Sequence, residues 1–295
     1  KADGRRYMQA EVIYLPGEIA LEEGESLTTP WLYASYSNTG LNAMSHHFHA
    51  HVRETILPAS FADKPRPIHL NTWEGIYFDH DPEYIMSMAT QSAEMGVERF
   101  IIDDGWFKGR DHDQAALGDW FVDSKKYPNG LMPLIQHVKD LDMEFGLWFE
   151  PEMINPNSNI HRAHPDWALG AEDQILGRQQ KALNMALPEV RDFLFDRVGR
   201  ILGEYEIDYV KWDHNRVLPL PDAAQTRGSY DLIDRLRAAF PKTEIESCAS
   251  GGGRIDFGIL KRTHRVWLSD SNDAIERLRM QHNAAIFLPM AVTGS

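Results

Sequence analysis

The chain has 295 residues, of which 43% are hydrophobic and 25% charged, a composition typical of a folded globular protein. Its formal net charge of -14 argues against binding to nucleic acid or to an anionic membrane surface, because both need clustered Lys and Arg side chains. Cys248 is the only cysteine, which excludes a fold held by intrachain disulfides and favours the cytoplasm.

Residues 1–65 are predicted to be the tail of an N-terminal β domain followed by a connecting helix. Short apolar runs and turn residues alternate up to about residue 37, which is typical of β structure. Over residues 41–57 the apolar side chains recur near helical spacing, which predicts a helix. Four histidines are scattered around this helix, namely His46, His47, His49 and His51. Metal ligands must converge on one point, so we expect solvated or interface histidines and no metal site.

From residue 66 to residue 295, short apolar runs alternate with longer amphipathic stretches, the pattern of repeated βα units around a parallel sheet. Seven strands are predicted, over residues 68–73, 99–103, 144–149, 208–212, 243–246, 265–269 and 287–292. A helix over residues 82–95 has Asp81 as its capping residue and Pro82 in its first turn. Seven short apolar strands, most of them separated by helical stretches, favour a (β/α)8 TIM-type barrel without its last βα unit. Strand count alone does not exclude a doubly wound sheet.

Polar and aromatic side chains lie at the ends of most predicted strands, where a strand interior would not favour them. They are Asn71, Trp73 and Glu74; Asp103, Asp104 and Trp106; Trp148 and Glu150; Lys211, Trp212 and Asp213; Glu246, Ser247 and Cys248; and Trp267 and Asp270. The carboxyl ends of barrel strands meet at one face, where active sites lie. A single acidic residue after a strand is usually only a helix cap, but six strand ends that agree predict a site.

The predicted barrel mouth combines carboxylates and tryptophans with two cations, Lys211 and Arg178, the second within an insertion over residues 167–185 that we predict to be a hairpin. Neither Cys and His residues at metal-ligand spacing nor a phosphate-binding glycine loop is found, so neither a metal nor another cofactor is expected. Carboxylates and cations bind hydroxyl groups, and indole faces cover the C–H face of a pyranose. These residue types predict a sugar pocket.

Glycoside hydrolysis needs two carboxyl groups, one ionised and one protonated. Lys211 precedes Asp213 by two residues, so their side chains lie on the same face of a strand, and the positive charge favours the ionised form of Asp213. The glycine-rich run over residues 250–254 is typical of a backbone that closely approaches a ligand, although such runs are more often plain turns.

Seven segments carry a resemblance to a known family. They are NTWE over residues 71–74, FIIDDGWF over 100–107, GLWFEPEM over 146–153, HPDW over 164–167, YVKWD over 209–213, ESCASGGGR over 246–254 and WLSD over 267–270. In this order, they make the chain resemble the α-galactosidases of glycoside hydrolase family 36 from about residue 37 to its end.

The resemblance implies a retaining enzyme that releases terminal α-linked galactose from oligosaccharides such as melibiose and raffinose, through a galactosyl-enzyme intermediate. It makes Asp213 the nucleophile and Asp270 the general acid/base. Asp103 and Asp104 would bind the galactose hydroxyls at positions 4 and 6.

Seven further residues are implied to bind substrate. Trp73 and Trp148 would line the pocket, Arg178 and Lys211 would donate to hydroxyls, Cys248 and Gly251 would lie near the 2-hydroxyl, and Trp267 would line the pocket or pack beneath Asp270. Resemblance to three-part family members makes this chain a barrel fragment, preceded by the tail of a β-sandwich domain. The implied full-length protein is a homotetramer in the bacterial cytoplasm.

Other functions on the same scaffold stay open. An α-N-acetylgalactosaminidase would need a roomier loop near Cys248 for its acetamido group, and an α-galactosyl transferase would differ in water access and acceptor contacts. A sugar-binding module without catalysis would require loss of a key carboxylate, and both Asp213 and Asp270 are present. A hydrolase is therefore the expected activity.

Overall fold

The computed structural model describes residues 4, 8–12, 14–62, 64–220 and 223–294, with only the backbone at residues 60 and 62. Up to residue 40 the described residues form turns but neither helix nor strand, and residues 1–3, 5–7 and 13 of the predicted β region lie outside them. The tail of a β domain over residues 1–65 therefore stays a prediction.

The helix predicted over residues 41–57 is confirmed. Helix α1 spans Leu41–His51, continues as a π-helical turn over Val52–Ile56 and is followed by the short α2 over Ala59–Ala62. Val52 and Ile56 are buried with Val266 in a small second core, so this segment packs against the end of the sheet that carries the last strands.

The histidines of this helix contact separate partners. His47 hydrogen-bonds the Ser35 hydroxyl at 2.9 Å, and His49 Nε2 donates to the carbonyl of Ala285 at 2.7 Å. Over the described ranges, no group of three or more His, Cys, Asp or Glu side chains is placed to hold a metal ion. No helix in the same ranges is both long and apolar enough to cross a bilayer.

The core of the fold is one parallel sheet. In chain order, the strands of the described residues are β1 His69–Asn71, β2 Arg99–Ile102, β3 Glu144–Phe149, β4 Met153–Ile154, β5 Lys181–Ala182, β6 Tyr209–Trp212, β7 Glu244–Ser247, β8 Arg265–Trp267 and β9 Thr293–Gly294. The sheet order is β1-β2-β3-β6-β7-β8-β9, and every neighbouring pair is parallel. β4 and β5 form a separate antiparallel pair.

Six predicted strands lie where the sequence placed them, and the seventh is wrong. Residues 287–292 were expected to form it, but a 3-10 turn spans Met290–Val292 and β9 begins only at Thr293. Pro289 stands in the middle of the apolar run and has no N–H to donate to a strand ladder. The apolar pattern was therefore that of a turn packed into the core, with Val292 fully buried.

Helices cover the outside of the sheet. The remaining ones are α3 Trp73–Ile76, α4 Pro82–Glu94, α5 Met132–Asp140, α6 Asn159–Ala163, α7 Pro188–Glu204, α8 Ala223–Ala239, α9 Phe257–Leu260 and α10 Ala274–Ala284. The predicted start of α4 is confirmed, because the Asp81 side chain accepts the N–H of Glu83 and Pro82 stands in the first turn. α7 buries Val190, Leu194 and Val198 at helical spacing against the core.

Contacts between distant strands show that the sheet is curled. Arg99 on β2 donates to Glu244 on β7 at 2.9 Å, although β3 and β6 separate these strands in the sheet. Arg265 on β8 reaches His69 on β1 at 3.3 Å. A flat sheet would hold these strands far apart, since neighbours are spaced about 4.8 Å. The seven strands therefore form the curled parallel sheet of a TIM-type barrel, and the absence of an eighth unit stays a prediction.

The hairpin predicted within residues 167–185 is confirmed. Antiparallel bridges join Ala168 to Leu183 and Gly177 to Gln180. The two residues between the second pair, 178 and 179, have φ values of 52° and 51°. Positive φ at both central positions is the geometry of a type I′ turn, which suits the twist of a hairpin. The hairpin therefore ends in a tight turn that presents Arg178.

Candidate active site

A pocket of about 560 Å³ lies at the carboxyl ends of the sheet strands. Nine of the eleven site residues predicted from the sequence line it: Trp73, Asp103, Asp104, Trp148, Arg178, Lys211, Asp213, Trp267 and Asp270. Cys248 and Gly251 are not among the lining residues. These nine residues come from five strand ends and one hairpin and surround a single space, as expected for a parallel barrel.

Asp213 follows β6 directly and is only 6% exposed. Its Oδ1 accepts the backbone N–H of His214 at 2.9 Å. Its Oδ2 accepts the indole Nε1–H of Trp148 at 3.1 Å and the Nδ2–H of Asn215 at 2.7 Å. Trp148 was expected to line the pocket, and its N–H also holds this carboxylate. These three N–H donors, together with the Cys248 thiol, therefore fix the orientation of the Asp213 carboxylate.

The surroundings of Asp213 keep it ionised. Burial alone would raise the pKa of its carboxyl group, but the charge of Lys211 and hydrogen bonds from Cys248, Asn215 and His214 outweigh burial and lower the pKa. Lys211 thus favours the ionised form of Asp213, as its position two residues before Asp213 predicted. Lys211 itself donates to Asp103 at 2.9 Å. Although burial opposes its charged form, Asp103 raises the pKa of Lys211, which stays protonated.

Asp104 is held by an arginine that the sequence analysis did not identify. Arg110 is completely buried and donates to both oxygens of Asp104, from Nε at 2.8 Å and from Nη2 at 2.7 Å. Its Nη1 donates to the carbonyl of Ala115 and to the side chain of Asn155, each at 2.9 Å. Such a bidentate pair fixes the carboxylate plane. Asp104 therefore presents its remaining lone pairs to the pocket in one orientation.

Asp270 lies at the exposed rim of the pocket. Its Oδ1 accepts the indole Nε1–H of Trp267 at 2.9 Å. The guanidinium of Arg277 stands over the Trp267 ring, 4.7 Å from its centre, a cation–π contact that supports the ring. Trp267 thus lines the pocket and also orients Asp270.

Cys248 and Gly251 do not line the pocket, but they contact residues that carry its two candidate catalytic carboxyl groups. Burial and the nearby charge of Asp213 raise the pKa of the Cys248 thiol, so it stays protonated and donates to that carboxylate. Gly251 has a φ of 82°, and a Cβ there would stand 2.8 Å from the Cα of Ser269 and 3.1 Å from the nitrogen of Asp270. The glycine run was expected to approach a ligand closely. At Gly251 the close approach is instead to the backbone of Ser269 and Asp270. The contact of these two residues with the 2-hydroxyl stays a prediction.

Arg178 approaches the pocket from the hairpin turn. Its Nε lies 3.5 Å from Asp113 and its Nη2 lies 4.0 Å from Asp104. A positive φ at a non-glycine residue costs about 1 to 3 kcal/mol and persists where other contacts impose it. One such contact is made by Gln180, whose Nε2–H donates to the buried Glu150 at 3.0 Å.

Nine further lining residues had no binding or catalytic role assigned from the sequence, although Asn71, Glu74 and Glu246 were among the polar residues at predicted strand ends. The nine are His69, Leu70, Asn71, Glu74, Ile101, Asp113, Asn215, Glu246 and Asn272. Asn215 also had a usable signal, since it stands two residues after Asp213 on the same strand end. Arg110 lies in a long loop after β2, where no spacing rule marks it.

Together, fold and pocket define a TIM-type barrel protein with a carboxylate-rich pocket at the carboxyl ends of its strands. The family model described as Melibiase matches residues 26–295. The chain belongs to the melibiase family.

Named relatives agree with this assignment. The chain is 57% identical over 304 residues to an alpha-galactosidase of Escherichia coli, an alignment that covers 100% of this chain and 43% of that protein. The structure of the alpha-galactosidase from Lactobacillus brevis matches with a TM-score of 0.85 at 38% identity, over 88% of this chain and 37% of that one. The chain thus spans about two fifths of the length of the relatives it matches.

A third relative has been solved with sugars. A doubly substituted variant of the alpha-galactosidase AgaA of Geobacillus stearothermophilus, of glycoside hydrolase family 36, in complex with stachyose matches with a TM-score of 0.84 at 38% identity, over 88% of this chain and 38% of that one. A second doubly substituted variant, in complex with raffinose, matches with a TM-score of 0.83 at 38% identity, over 87% of this chain and 38% of that one.

Proposed function

We propose that this chain is the catalytic barrel of a retaining α-galactosidase, which releases terminal α-linked galactose from oligosaccharides such as melibiose and raffinose. The observation that carries the proposal is that Asp213 and Asp270 follow β6 and β8 and line one pocket. Asp213 is deeply buried with a lowered pKa, whereas Asp270 stands at the exposed rim. This division suits an ionised nucleophile and an acid/base that exchanges protons with solvent.

The reaction proceeds in two displacements. Asp213 attacks the anomeric carbon while Asp270 protonates the departing glycosidic oxygen, which leaves a β-linked galactosyl ester on Asp213. Asp270, now a carboxylate, takes a proton from a water molecule, and that water attacks the same carbon from the opposite face. Galactose leaves with its original α configuration, and both carboxyl groups regain their starting protonation.

The galacto specificity of this proposal depends on Asp103 and Asp104. Asp103 accepts from Lys211 and Asn71, and Asp104 accepts from Arg110. Both carboxylates line the pocket and are almost fully buried. Two adjacent acceptors held rigidly in this way suit the paired 4- and 6-hydroxyls of galactose.

Replacing Asp104 by alanine in the full-length protein is expected to remove most α-galactosidase activity and, because the buried Arg110 then lacks its partner, to lower the melting temperature as well. Alanine cannot accept a hydrogen bond from a galactose hydroxyl in the transition state, so kcat/KM should fall by well over tenfold, and tenfold corresponds to ~1.4 kcal/mol. The measurement is kcat/KM on a chromogenic α-galactoside, with the melting temperature as a control for folding. Activity within about threefold of the parent would contradict the role of Asp104.

The proposed activity is tested by comparing four chromogenic substrates: an α-galactoside, the matching β-galactoside, an α-glucoside and an α-N-acetylgalactosaminide. We expect the α-galactoside to be hydrolysed at least about a hundredfold faster than the others, because they differ at the anomeric centre, the 4-hydroxyl or the 2-substituent. Preference for the acetamido sugar would instead identify an α-N-acetylgalactosaminidase. Transfer of galactose to an added sugar in preference to water would identify an α-galactosyl transferase.

The same proposal covers the organisation of the full-length protein. We infer a β-domain tail over residues 1–65, a barrel over residues 66–295 that lacks its last βα unit within this chain, and a homotetramer in the bacterial cytoplasm. In support, the alignment with the E. coli alpha-galactosidase covers 100% of this chain and 43% of that protein.

A further inference from the structure

Two buried glutamates, Glu150 and Glu152, follow β3 and belong to the same short segment of sequence. Both are at most 1% exposed. Their partners differ sharply, although only Pro151 separates them. Neither residue lines the pocket that holds Asp213.

Glu152 is surrounded by donors and positive charge. Arg254 Nη1 lies 2.9 Å from Oε1, and Trp212 Nε1 donates to the same oxygen at 2.8 Å. The hydroxyl of Ser229 donates to Oε2 at 2.6 Å, and His214 Nδ1 lies 3.5 Å away. Burial opposes the charge, but Arg254, His214 and Ser229 lower the pKa of Glu152 well below its ordinary value. Glu152 is therefore ionised.

Glu150 has only neutral hydrogen-bond partners. Its Oε1 accepts the backbone N–H of Asn215 and its Oε2 contacts the amide of Gln180. An amide can donate to a carboxylate or, when turned, accept a carboxyl proton, so Gln180 suits either form. No Lys, Arg or His of the described ranges lies within ion-pair distance of Glu150.

The charges facing Glu150 come from three elements. Asp213, after β6, opposes ionisation, while Arg178 on the hairpin and Arg110 in the loop after β2 favour it more weakly. Burial and the charge of Asp213 raise the pKa of Glu150 from 4.5 to about 8. Two ionised carboxylates buried near each other are costly, which favours the protonated form of one of them. Asp213, with its many donors, is the ionised one.

We propose that Glu150 is a positioning residue that works as a neutral carboxyl group, holding the backbone of Asn215 and through it the carboxylate of Asp213. Asn215 links the two, because its N–H donates to Glu150 and its Nδ2–H donates to Asp213 at 2.7 Å. A neutral Glu150 supports the turn after β6 without placing a second negative charge beside the nucleophile. The positioning role rests on the proposed function, whereas the neutral state of Glu150 does not.

The neutral state is tested by thermal melting of the full-length protein and its Glu150→Gln variant between about pH 5 and pH 9. The folded pKa of Glu150 is above its unfolded value, so the stability that its proton contributes is present at low pH and declines as the pH rises towards about 8. Glutamine cannot ionise. The melting temperature of the variant relative to the parent should therefore increase with pH, by at least about 2 °C over this range.

Glu152→Gln is the matched control, since it makes the same change two residues away. The pKa of Glu152 is lowered on folding, so its ionised form stabilises the protein above its unfolded pKa, and this contribution disappears as the pH falls. Between about pH 5 and pH 9 this variant should melt below the parent by a nearly constant amount, because the deficit shrinks only below the unfolded pKa of about 4.5. If Glu150→Gln followed the same course as Glu152→Gln, Glu150 would be ionised and the proposal overturned.

The positioning role is tested by kinetics on an α-galactoside. Glu150→Met removes both hydrogen bonds and should lower kcat at least about tenfold, with KM changed less than about threefold. Glu150→Gln keeps an acceptor for Asn215 and should recover most of that activity. A glutamine variant as impaired as the methionine variant would show that the charge is needed and overturn the proposal. If the full-length protein hydrolysed no α-galactoside, the proposed function would fail, while the melting experiment would still decide the state of Glu150.

Discussion

Replacing Asp213 by glycine is expected to reduce hydrolysis of α-galactosides at least about a thousandfold, equivalent to ~4 kcal/mol of transition-state stabilisation. The reason is that no other carboxylate is expected to reach the anomeric carbon from the same side. Asp213 is the carboxylate whose lowered pKa and three hydrogen bonds prepare it for attack. The glycine variant leaves a cavity of carboxylate size at that position.

Added azide should partly restore turnover of this variant with a substrate that has a good leaving group. The small anion fills the vacated space and attacks from the β face, so the product should be β-galactosyl azide, identified by NMR. Asp103→Gly is the matched control, because Asp103 is another buried pocket carboxylate. Azide should not rescue it, since its nucleophile is intact. An α-galactosyl azide from the Asp213 variant would reverse the roles assigned to Asp213 and Asp270.

Replacing Asp270 by glycine should impair the enzyme in a different way. Substrates with poor leaving groups need a proton in the first step, so their kcat/KM should fall at least about a hundredfold. Substrates with very good leaving groups should still form the galactosyl-enzyme, which then accumulates because no base activates water. A burst of leaving group followed by slow turnover is the measurable sign.

Azide should rescue the Asp270 variant with the opposite stereochemistry, giving α-galactosyl azide, because the anion attacks the β-linked intermediate from the α face. Asp113→Gly is a suitable control, since Asp113 also lines the pocket but has no assigned proton-transfer role. Any decrease in its activity should not depend on the leaving group. Net inversion of configuration by the unmodified enzyme would discard the double displacement altogether.

The sequence by itself determined most of the sheet and the location of the site. Strand positions follow from apolar runs, and six of the seven agree with the structure. The polar residues after those runs mark the carboxyl ends of parallel strands. A barrel brings these ends together at one face, independently of the conformation of the loops. Eight of the eleven predicted site residues line the pocket for this reason, and Arg178 joins them from the hairpin turn. The last strand was misplaced because Pro289 interrupts an otherwise strand-like apolar run.

Only the tertiary structure decided what each polar side chain contacts. Lys211 pairs with Asp103 across 108 positions of sequence, and Trp148 donates to Asp213 across 65. Such partners depend on the curl of the sheet and the course of the loops, which local patterns do not encode. Arg110, buried against Asp104, has no spacing signal at all.

Glu150 and Glu152 show the same division most clearly. In the sequence they are equivalent acidic residues on either side of Pro151. In the fold one meets Arg254 and has a lowered pKa, and the other faces Asp213 and has a raised one. Ionisation depends on burial and on charges within a few ångströms, and those neighbours come from β6, the hairpin and the loop beyond β7. The sequence determined that carboxyl groups would gather at this end of the barrel, and the tertiary structure decided which of them carry charge.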